Sequence, residues 1–562
     1  MMLENSIESV ITSSLVEICR KYGIPAPQVV LEIPRDKKHG ELSCNIALTS
    51  TRQTGMKPRD LAEKLSTEFP TSKDLVDAVI VAGPGFLNFK LSALYFHNLL
   101  KDIVKDSSCF GTSDEGSGER WLFEFVSANP TGPLNVVNAR AASIGDTLVR
   151  IFKKRGYDAH SEFYVNDGGN QIRLLGASVR ARIENVEIPE GGYHGEYVYE
   201  YAKSLIKNKE YNTELNSSEL YIYNLGRRFA QEIQKEHKVT LDRFRVSFDN
   251  WFFESKLHIL RSDQNSPVAS VVNSLQDKDA TYESDGALYF KAGEYGDSKD
   301  RVLRKSHSVP GILDEDFDPR QIYTYIVPDT AYHLDKYQRG FIKAVDLLGP
   351  DHHGYIISMK ASLKALEIPD NFYHAILVQQ VNLKRDGEEV KMSKRAGVGI
   401  TLDDLIEEVG VDTARFFFLR RTISSHLDFD IELAKRHSED NPVYYVQYAH
   451  ARIMSILRQP GAKDFDKNVH LECLTTEEEL DLLKVIARFP WTLSSIVRNL
   501  EPHILTVYLI ELARSFHFFY SKHRVITDNS ELTAARLMLC KGTANVIAEG
   551  LSLMGIEAPE VM

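Results

Sequence analysis

Apolar and polar positions change rhythm along the chain, and the changes divide it. Near the start, helical spacing over Ile7 to Tyr22 gives way to short apolar runs at Gln28 to Ile33 and Ala78 to Leu91, the second broken by Gly83, Pro84 and Gly85. That mixture predicts a small α+β domain over residues 1–110. From Trp121 to about Arg421, runs rich in aromatic and β-branched residues alternate with helical stretches. Strands are expected at Trp121 to Val126, Ala159 to Val165, Ala344 to Leu348 and His374 to Val381, with helices starting near Val136, Gly169, Pro328 and Tyr355. The alternation predicts a parallel sheet covered on both faces, a Rossmann-like α/β domain over 118–425. Polar, mostly helical sequence interrupts it at about 190–300, as an insertion would. Asn441 to Leu457, Leu480 to Leu500 and Ile504 to His523 are then long amphipathic stretches with short joints, which predict an all-α helical bundle over 426–562. Asp106 to Arg120, rich in Ser, Gly and acid, reads as a linker, and no internal repeat is evident.

The first strand of the central region ends in a turn with an obvious chemical use. Asn129, Pro130, Thr131, Gly132 and Pro133 forbid its continuation, and Val137, Ala141, Ile144 and Leu148 then recur at helical spacing. First-turn amides of such a helix lack internal partners and face the carboxyl end of the strand, where open parallel sheets bind nucleotides. An ordinary strand–helix unit has the same pattern, so the turn alone does not decide. Far downstream, Lys391, Met392, Ser393, Lys394 and Arg395 form a cationic loop flanked by glycines.

Composition adds bounds. At 562 residues the chain exceeds one hydrophobic core, and 43% hydrophobic with 26% charged residues describes a soluble globular protein. No apolar run approaches the length of a membrane span and the N-terminus lacks the order of a signal peptide, so the expected location is cytoplasmic. Cys19, Cys44, Cys109, Cys473 and Cys540 show no paired spacing, which points to buried small hydrophobes and not to disulfides or a structural metal. The net charge of -12 argues against a uniformly nucleic-acid-coating surface. Local basic clusters at Arg301 to Lys305, Lys384 to Arg395, Arg415 to Arg421 and Arg514 to Arg524 leave room for RNA, although each is equally a solvated face.

The run Ser127 to Leu134 (SANPTGPL), the KMSKRAG loop, the Asp329 region, HGELSCNIAL, VAGPGFLNFKL, YVQYAHAR and the closing LSLMGIEAPEVM together resemble the arginyl-tRNA synthetases, of class I, over almost the whole chain. The resemblance implies an enzyme that activates arginine with ATP and Mg²⁺ to arginyl-adenylate, releases pyrophosphate, and transfers the arginyl group to tRNA(Arg). It implies an ATP site made by Pro130, Thr131, Gly132, Pro133, Leu134, Asn135, Val136, Val137, Asn138, Met392, Ser393 and Lys394. Lys394, Lys391, Asn135 and Asn138 would then be catalytic, supplying positive potential around the in-line displacement at the α-phosphate.

Guanidinium is a planar cation best matched by a carboxylate. In YTYIVPDTAYH, Tyr325 and Asp329 face one way if the turn is helical, and the family uses such a pair on the arginine side chain. Glu124, Ser127 and Asn129 match positions that hold the amino acid's polar groups, and His353, in GPDHHGY, lies beside them in the family. Asp329 is also what a helix N-terminus favours for its dipole alone. For tRNA, Phe86 and Asn88 in the N-terminal domain could stack on or hydrogen-bond a splayed base, and Tyr448 and Arg452 share one face of a C-terminal helix from which His450 points away. Each of these aromatics could equally be packing. A monomer is expected, with no membrane contact and no resident metal, since the Asp351, His352, His353 string lacks a third ligand at a supporting spacing.

One departure stands out. Where class I synthetases carry His-x-Gly-His, this chain reads Asn135, Val136, Val137, Asn138. A neutral donor replacing a charged one forgoes about 1 to 2 kcal/mol per bond, and Val137 stands where glycine allows the nucleotide close. Arg140, one turn on, is a candidate to restore positive charge. The alternative reading is therefore a catalytically impaired tRNA-binding relative. A small-molecule nucleotidyl transferase would leave the terminal domains without purpose.

Overall fold

The computed structural model describes residues 7–34, 36–212, 218–258, 266–305, 323–390, 400–462 and 469–562. Helix Pro58–Glu68 packs on an antiparallel sheet ordered Leu31–Glu32, Leu42–Cys44, Phe86–Leu91, Val76–Ala82; helix Ile7–Lys21 lies against that helix, and helix Ala93–Lys105 packs on the C-terminal helices Glu477–Ala487 and Ser530–Leu553. Leu87, Phe89 and Leu91 alternate inward in the central strand and are buried, as period-two patterning requires.

The central sheet is wholly parallel, ordered Tyr373–Leu377, Lys343–Leu348, Arg120–Glu124, Asp158–Val165, Asn250–Phe253. Its first strand stops at Glu124, short of the expected Val126, because Val126 (φ 69°) and Ser127 (φ 38°) turn into left-handed backbone. Helix Val136–Lys154 lies across that strand end. A Cβ on Gly145 would meet the Phe125 ring at 2.2 Å, so glycine inside the helix is what lets the two elements touch.

Three expectations are corrected. The single strand expected at His374 to Val381 is two: Tyr373–Leu377 in the main sheet, and Val381–Arg385 in a small sheet with Leu427–Asp430 and Glu388–Glu389. The stretch at 190–300 holds helices, but it also returns a strand, Asn250–Phe253, to the main sheet and forms an antiparallel sheet with Arg301–Arg304. Leu480 to Leu500 is two helices, Glu477–Ala487 and Phe489–Asn499, since Pro490 cannot supply an N–H to continue the first. The C-terminal bundle also contains Ser530–Leu553, which is buried nearly all round and therefore shows no amphipathic stripe in sequence.

Cys19, Cys44 and Cys540 are buried as expected, whereas Cys109 is exposed and Cys473 half-buried. Among the described residues no helix is long and apolar enough to cross a membrane.

Candidate active site

The chain builds the sheet outward from Arg120–Glu124 in one direction and then returns to its other side with Lys343–Leu348. The carboxyl ends of these two strands flank the switch point, where an α/β sheet opens a crevice. Glu124 and Asp346 are register partners there, two buried carboxylates side by side.

Helix Ile326–Gln338 supplies the opposite wall. Asp329, His333 and Lys336 follow one another at i, i+4 and i+7, so they share a face. Lys336 has no exposed surface; its ammonium donates to Glu124 at 2.7 Å and Asp346 at 2.9 Å and lies 4.2 Å from the centre of the Tyr332 ring. His333 joins the Asp346 carboxylate (2.8 Å) to the Asp329 main-chain carbonyl (2.8 Å). Beside them the Glu162 carboxylate takes two bonds from Arg339 and one from the Tyr332 hydroxyl.

The charges respond to this arrangement. Burial raises Asp346, but Lys336 and His333 outweigh it and hold the carboxyl at about 2. Burial lowers Lys336, and Asp346 and Glu124 reverse that, pushing it up to about 12. Burial raises Glu124 against the pull of Lys336. Asp329 differs from all of these. By area the residue is only half-buried, yet desolvation of its carboxyl dominates and, with Glu254, Glu124 and Asp346 adding repulsion against one Tyr355 hydrogen bond, pushes it up to about 8. Among the described residues no cation pairs with Asp329.

A pH dependence follows. A cation on Asp329 needs the ionised form, so binding below pH 8 displaces a proton. Apparent affinity for a guanidinium ligand is expected to weaken about tenfold per unit as pH falls below that value. Calorimetry in buffers of differing ionisation enthalpy should show nearly one proton released per ligand at pH 7. In the free protein the sign is opposite: the raised carboxyl contributes stability present below pH 4 and lost as pH rises through about 8.

The adjoining turn is held from several sides. The Tyr197 hydroxyl donates to the Thr131 carbonyl at 2.6 Å, and His237 Nε2 to that of Gly132 at 2.7 Å. Both come from the inserted region, where helices Gly169–Glu184 and Glu219–Arg243 cross backbone to backbone at Gly176 and Gly226. Leu402 N–H bonds the Leu134 carbonyl at 2.8 Å.

Asn135 and Asn138 form a reciprocal capping box: Asn135 Oδ1 accepts from the amides of Val137 and Asn138, and Asn138 Oδ1 accepts from the Asn135 amide. This corrects the expectation of free first-turn amides, because two of them are already satisfied. It also gives the asparagines a reason, since Asn is among the strongest N-cap residues. Asn135→Ala is expected to cost about 1 kcal/mol and to speed hydrogen exchange of the Val137 and Asn138 amides; unchanged exchange would contradict the cap.

Several expected site residues are placed differently. Arg140 is fully buried and donates to the carbonyls of Gln379 (2.8 Å), Ser425 (2.9 Å) and Thr422 (3.0 Å), so its charge serves packing and does not compensate the missing histidines. Ser127 and Glu124 are bonded to each other at 2.9 Å. Asn129 and Tyr325 are exposed, and Tyr325 precedes helix Ile326–Gln338 in helical backbone, its ring 6.1 Å from that of Tyr355. Val137 and the residues Thr131 to Pro133 are half-buried, Pro130 and Leu134 buried. Lys391, Met392, Ser393 and Lys394 lie outside the described residues, as does the side chain of His353.

On the outer domains, Phe86 is exposed at 37%, but Asn88 retains only 3%, being in a strand hydrogen-bonded on both edges, and cannot present its amide to a base there. Arg452 is exposed, 5.6 Å over the Tyr448 ring and 5.4 Å over Tyr520. His450 is buried, bonded to the Pro559 carbonyl, as its position on the other face requires. In the basic cluster Arg415 to Arg421, Arg415 is wholly buried, whereas Arg420 and Arg421 are exposed. Sequence reading missed His333, Lys336, Asp346 and Tyr355. The polar stripe running from Asp329 and the lone acid in KAVDLL were the signals available.

Three family models match the chain: "Arginyl tRNA synthetase N terminal domain" over residues 4–91, "tRNA synthetases class I (R), catalytic domain" over 109–417, and "DALR anticodon binding domain" over 446–562. An arginine–tRNA ligase of Shouchella clausii is 41% identical over 545 residues, 95% of each chain. One from Listeria welshimeri is 41% identical over 572 aligned positions, 100% of each chain. Among solved structures, an arginyl-tRNA synthetase of Thermus thermophilus superposes with a TM-score of 0.74 across 98% of this chain and 99% of that one, at 19% identity, a likeness of fold.

Proposed function

Because the chain belongs to the arginyl-tRNA synthetase family, we propose that the site around Asp329 is where it holds arginine for ATP-dependent ligation to tRNA. The ligase activity is that of its full-length relatives, and nothing in the site favours the impaired, merely tRNA-binding alternative. The observation that carries the residue assignment is Asp329: a desolvated carboxylate that no cation among the described residues pairs, on a helix beside the carboxyl ends of a parallel sheet.

In this reading the guanidinium pairs with Asp329, with Tyr325 and Tyr355 beside it. Glu124, Ser127, Asn129 and His353 hold the polar end of the amino acid. Although Glu124 is bonded to Lys336 and Ser127, each carboxylate oxygen keeps a second lone pair for an ammonium. The arginine carboxylate attacks the α-phosphorus of ATP in line, the bond to pyrophosphate breaks, and arginyl-adenylate remains. A ribose hydroxyl of the terminal adenosine of tRNA then attacks the arginyl carbonyl and releases AMP. Residues Pro130 to Asn138 cradle the nucleotide, and Lys394 with Lys391, Met392 and Ser393 serves the β- and γ-phosphates. Mg²⁺ enters with ATP as part of the substrate. With the main-chain amides of Asn135, Val137 and Asn138 engaged in the capping box, the nucleotide meets the side-chain NH2 groups of Asn135 and Asn138 and the remaining backbone donors.

Phe86, Tyr448 and Arg452 are the tRNA contacts in this scheme, and the domain limits 1–110, 118–425 and 426–562 divide the labour between tRNA corner, chemistry and anticodon. A monomer in the cytoplasm completes it. Charging of tRNA(Arg) transcript is the test: arginine should be attached, while citrulline, its neutral isostere, should not, because it leaves Asp329 unpaired. Equal charging of both would overturn the assignment of Asp329.

A further inference from the structure

Lysine without exposed surface is unusual, and the pair it makes is seldom worth its desolvation for stability alone. Lys336 sits where three elements meet. On one side it holds Oε2 of Glu124, whose Oε1 accepts from Ser127 Oγ at 2.9 Å; that oxygen in turn accepts from the Tyr164 amide at 3.1 Å. The grip therefore reaches the left-handed backbone of Val126 and Ser127, which a β-branched residue adopts only when its surroundings impose it. On the other side it holds Oδ1 of Asp346, whose Oδ2 engages His333, whose second ring nitrogen meets the Asp329 carbonyl.

We propose that Lys336 is a positioning residue for arginine recognition, its buried ammonium fixing the Glu124 wall and the Asp329 wall of the pocket at one separation. This rests on the reading of the pocket as the arginine site. Lys336 has a second consequence: its charge offsets part of the repulsion that the carboxylates facing Asp329 (Glu124, Asp346 and Glu254) exert on it.

Removing the ammonium alone alters charge as well as geometry, so the decisive variant conserves charge. In K336M/D346N one cation and one anion are lost together, so the clamp is removed while the net charge is kept. Arginine-dependent charging by this variant should fall about 30-fold or more in kcat/KM for arginine, with KM for ATP and affinity for tRNA within twofold of the parent protein. The single variant K336M should also lose arginine efficiency and, lacking the balancing charge, should move the acid limb of the arginine kcat/KM profile to higher pH; K336M/D346N should return that limb toward the parent's. A folded double variant with arginine kcat/KM within threefold of the parent overturns the proposal. So does a uniform decline of arginine, ATP and tRNA parameters with melting temperature, which is what a purely structural lysine gives. If the double variant melts below the assay temperature, K336M decides: an unmoved acid limb with unchanged arginine efficiency overturns the proposal. The underlying reading fails by a separate result, D329N with an unchanged KM for arginine.

Discussion

Asp329→Asn is expected to lower kcat/KM for arginine by about a thousandfold while leaving KM for ATP close to the parent value. The change is isosteric, so the pocket keeps its shape and loses only the charge. A buried guanidinium deprived of its carboxylate forfeits about 4 kcal/mol, which is about three decades in rate. The nearest carboxylates are already engaged, Glu124 and Asp346 by Lys336 and Glu162 by Arg339, and the lone pair that Glu124 keeps serves the ammonium end of the amino acid. Because asparagine does not titrate, the weakening of arginine binding below pH 8 should also disappear. Steady-state kinetics over pH 6 to 9 measures both effects at once. A variant that keeps parental arginine kinetics would move arginine to another part of the crevice.

The second large effect concerns stability. Arg415 is buried where the catalytic and C-terminal regions meet. It pairs with Asp146 in helix Val136–Lys154, donates to the Met554 carbonyl at the end of the last helix (2.6 Å), and donates to the Phe244 carbonyl after helix Glu219–Arg243 (3.0 Å). The close approach is possible because the next residue, Gly555, has no side chain: a Cβ there would stand 2.7 Å from the guanidinium. Arg415→Met removes one partner of a buried ion pair and strands two carbonyls, which costs about 3 to 5 kcal/mol. The expected reading is an earlier first transition in urea, together with faster hydrogen exchange in the last turn of helix Ser530–Leu553. An unchanged midpoint would mean that the terminal segment is anchored elsewhere, by Arg245 with Asp412 and Glu557.

What was legible in the sequence was whatever periodicity or a rare string encodes. The strand at Trp121, the helices from Gly169 and Val136, and the helix Pro442–Leu457 fall within a few residues of their expected places, because their apolar spacing is set by the faces they bury. Helix Ser530–Leu553 escaped notice because a helix buried on every side has no polar face to contrast with. The paired strands after Tyr373 merged into one although Gln379 and Gln380 interrupt the apolar run, because two polar residues also fit a strand; the Gln379 carbonyl at that break is held by Arg140. In the site, Asp329 could be singled out as a carboxylate able to face a guanidinium, and Glu124 as one for the polar groups of the amino acid. Their partners could not, because Lys336 and Asp346 come together with Glu124 only once helix and strands are docked. The Asn-Val-Val-Asn string looked like a loss of chemistry, and folded it is a helix cap.

The most direct measurement is exchange of labelled pyrophosphate into ATP by the unaltered protein with tRNA(Arg) present, with and without arginine. A crevice in which Asp329 receives arginine beside a nucleotide should give exchange that requires arginine and that citrulline cannot support. Tight tRNA binding with no arginine-dependent exchange, or exchange driven equally by another amino acid, would contradict it.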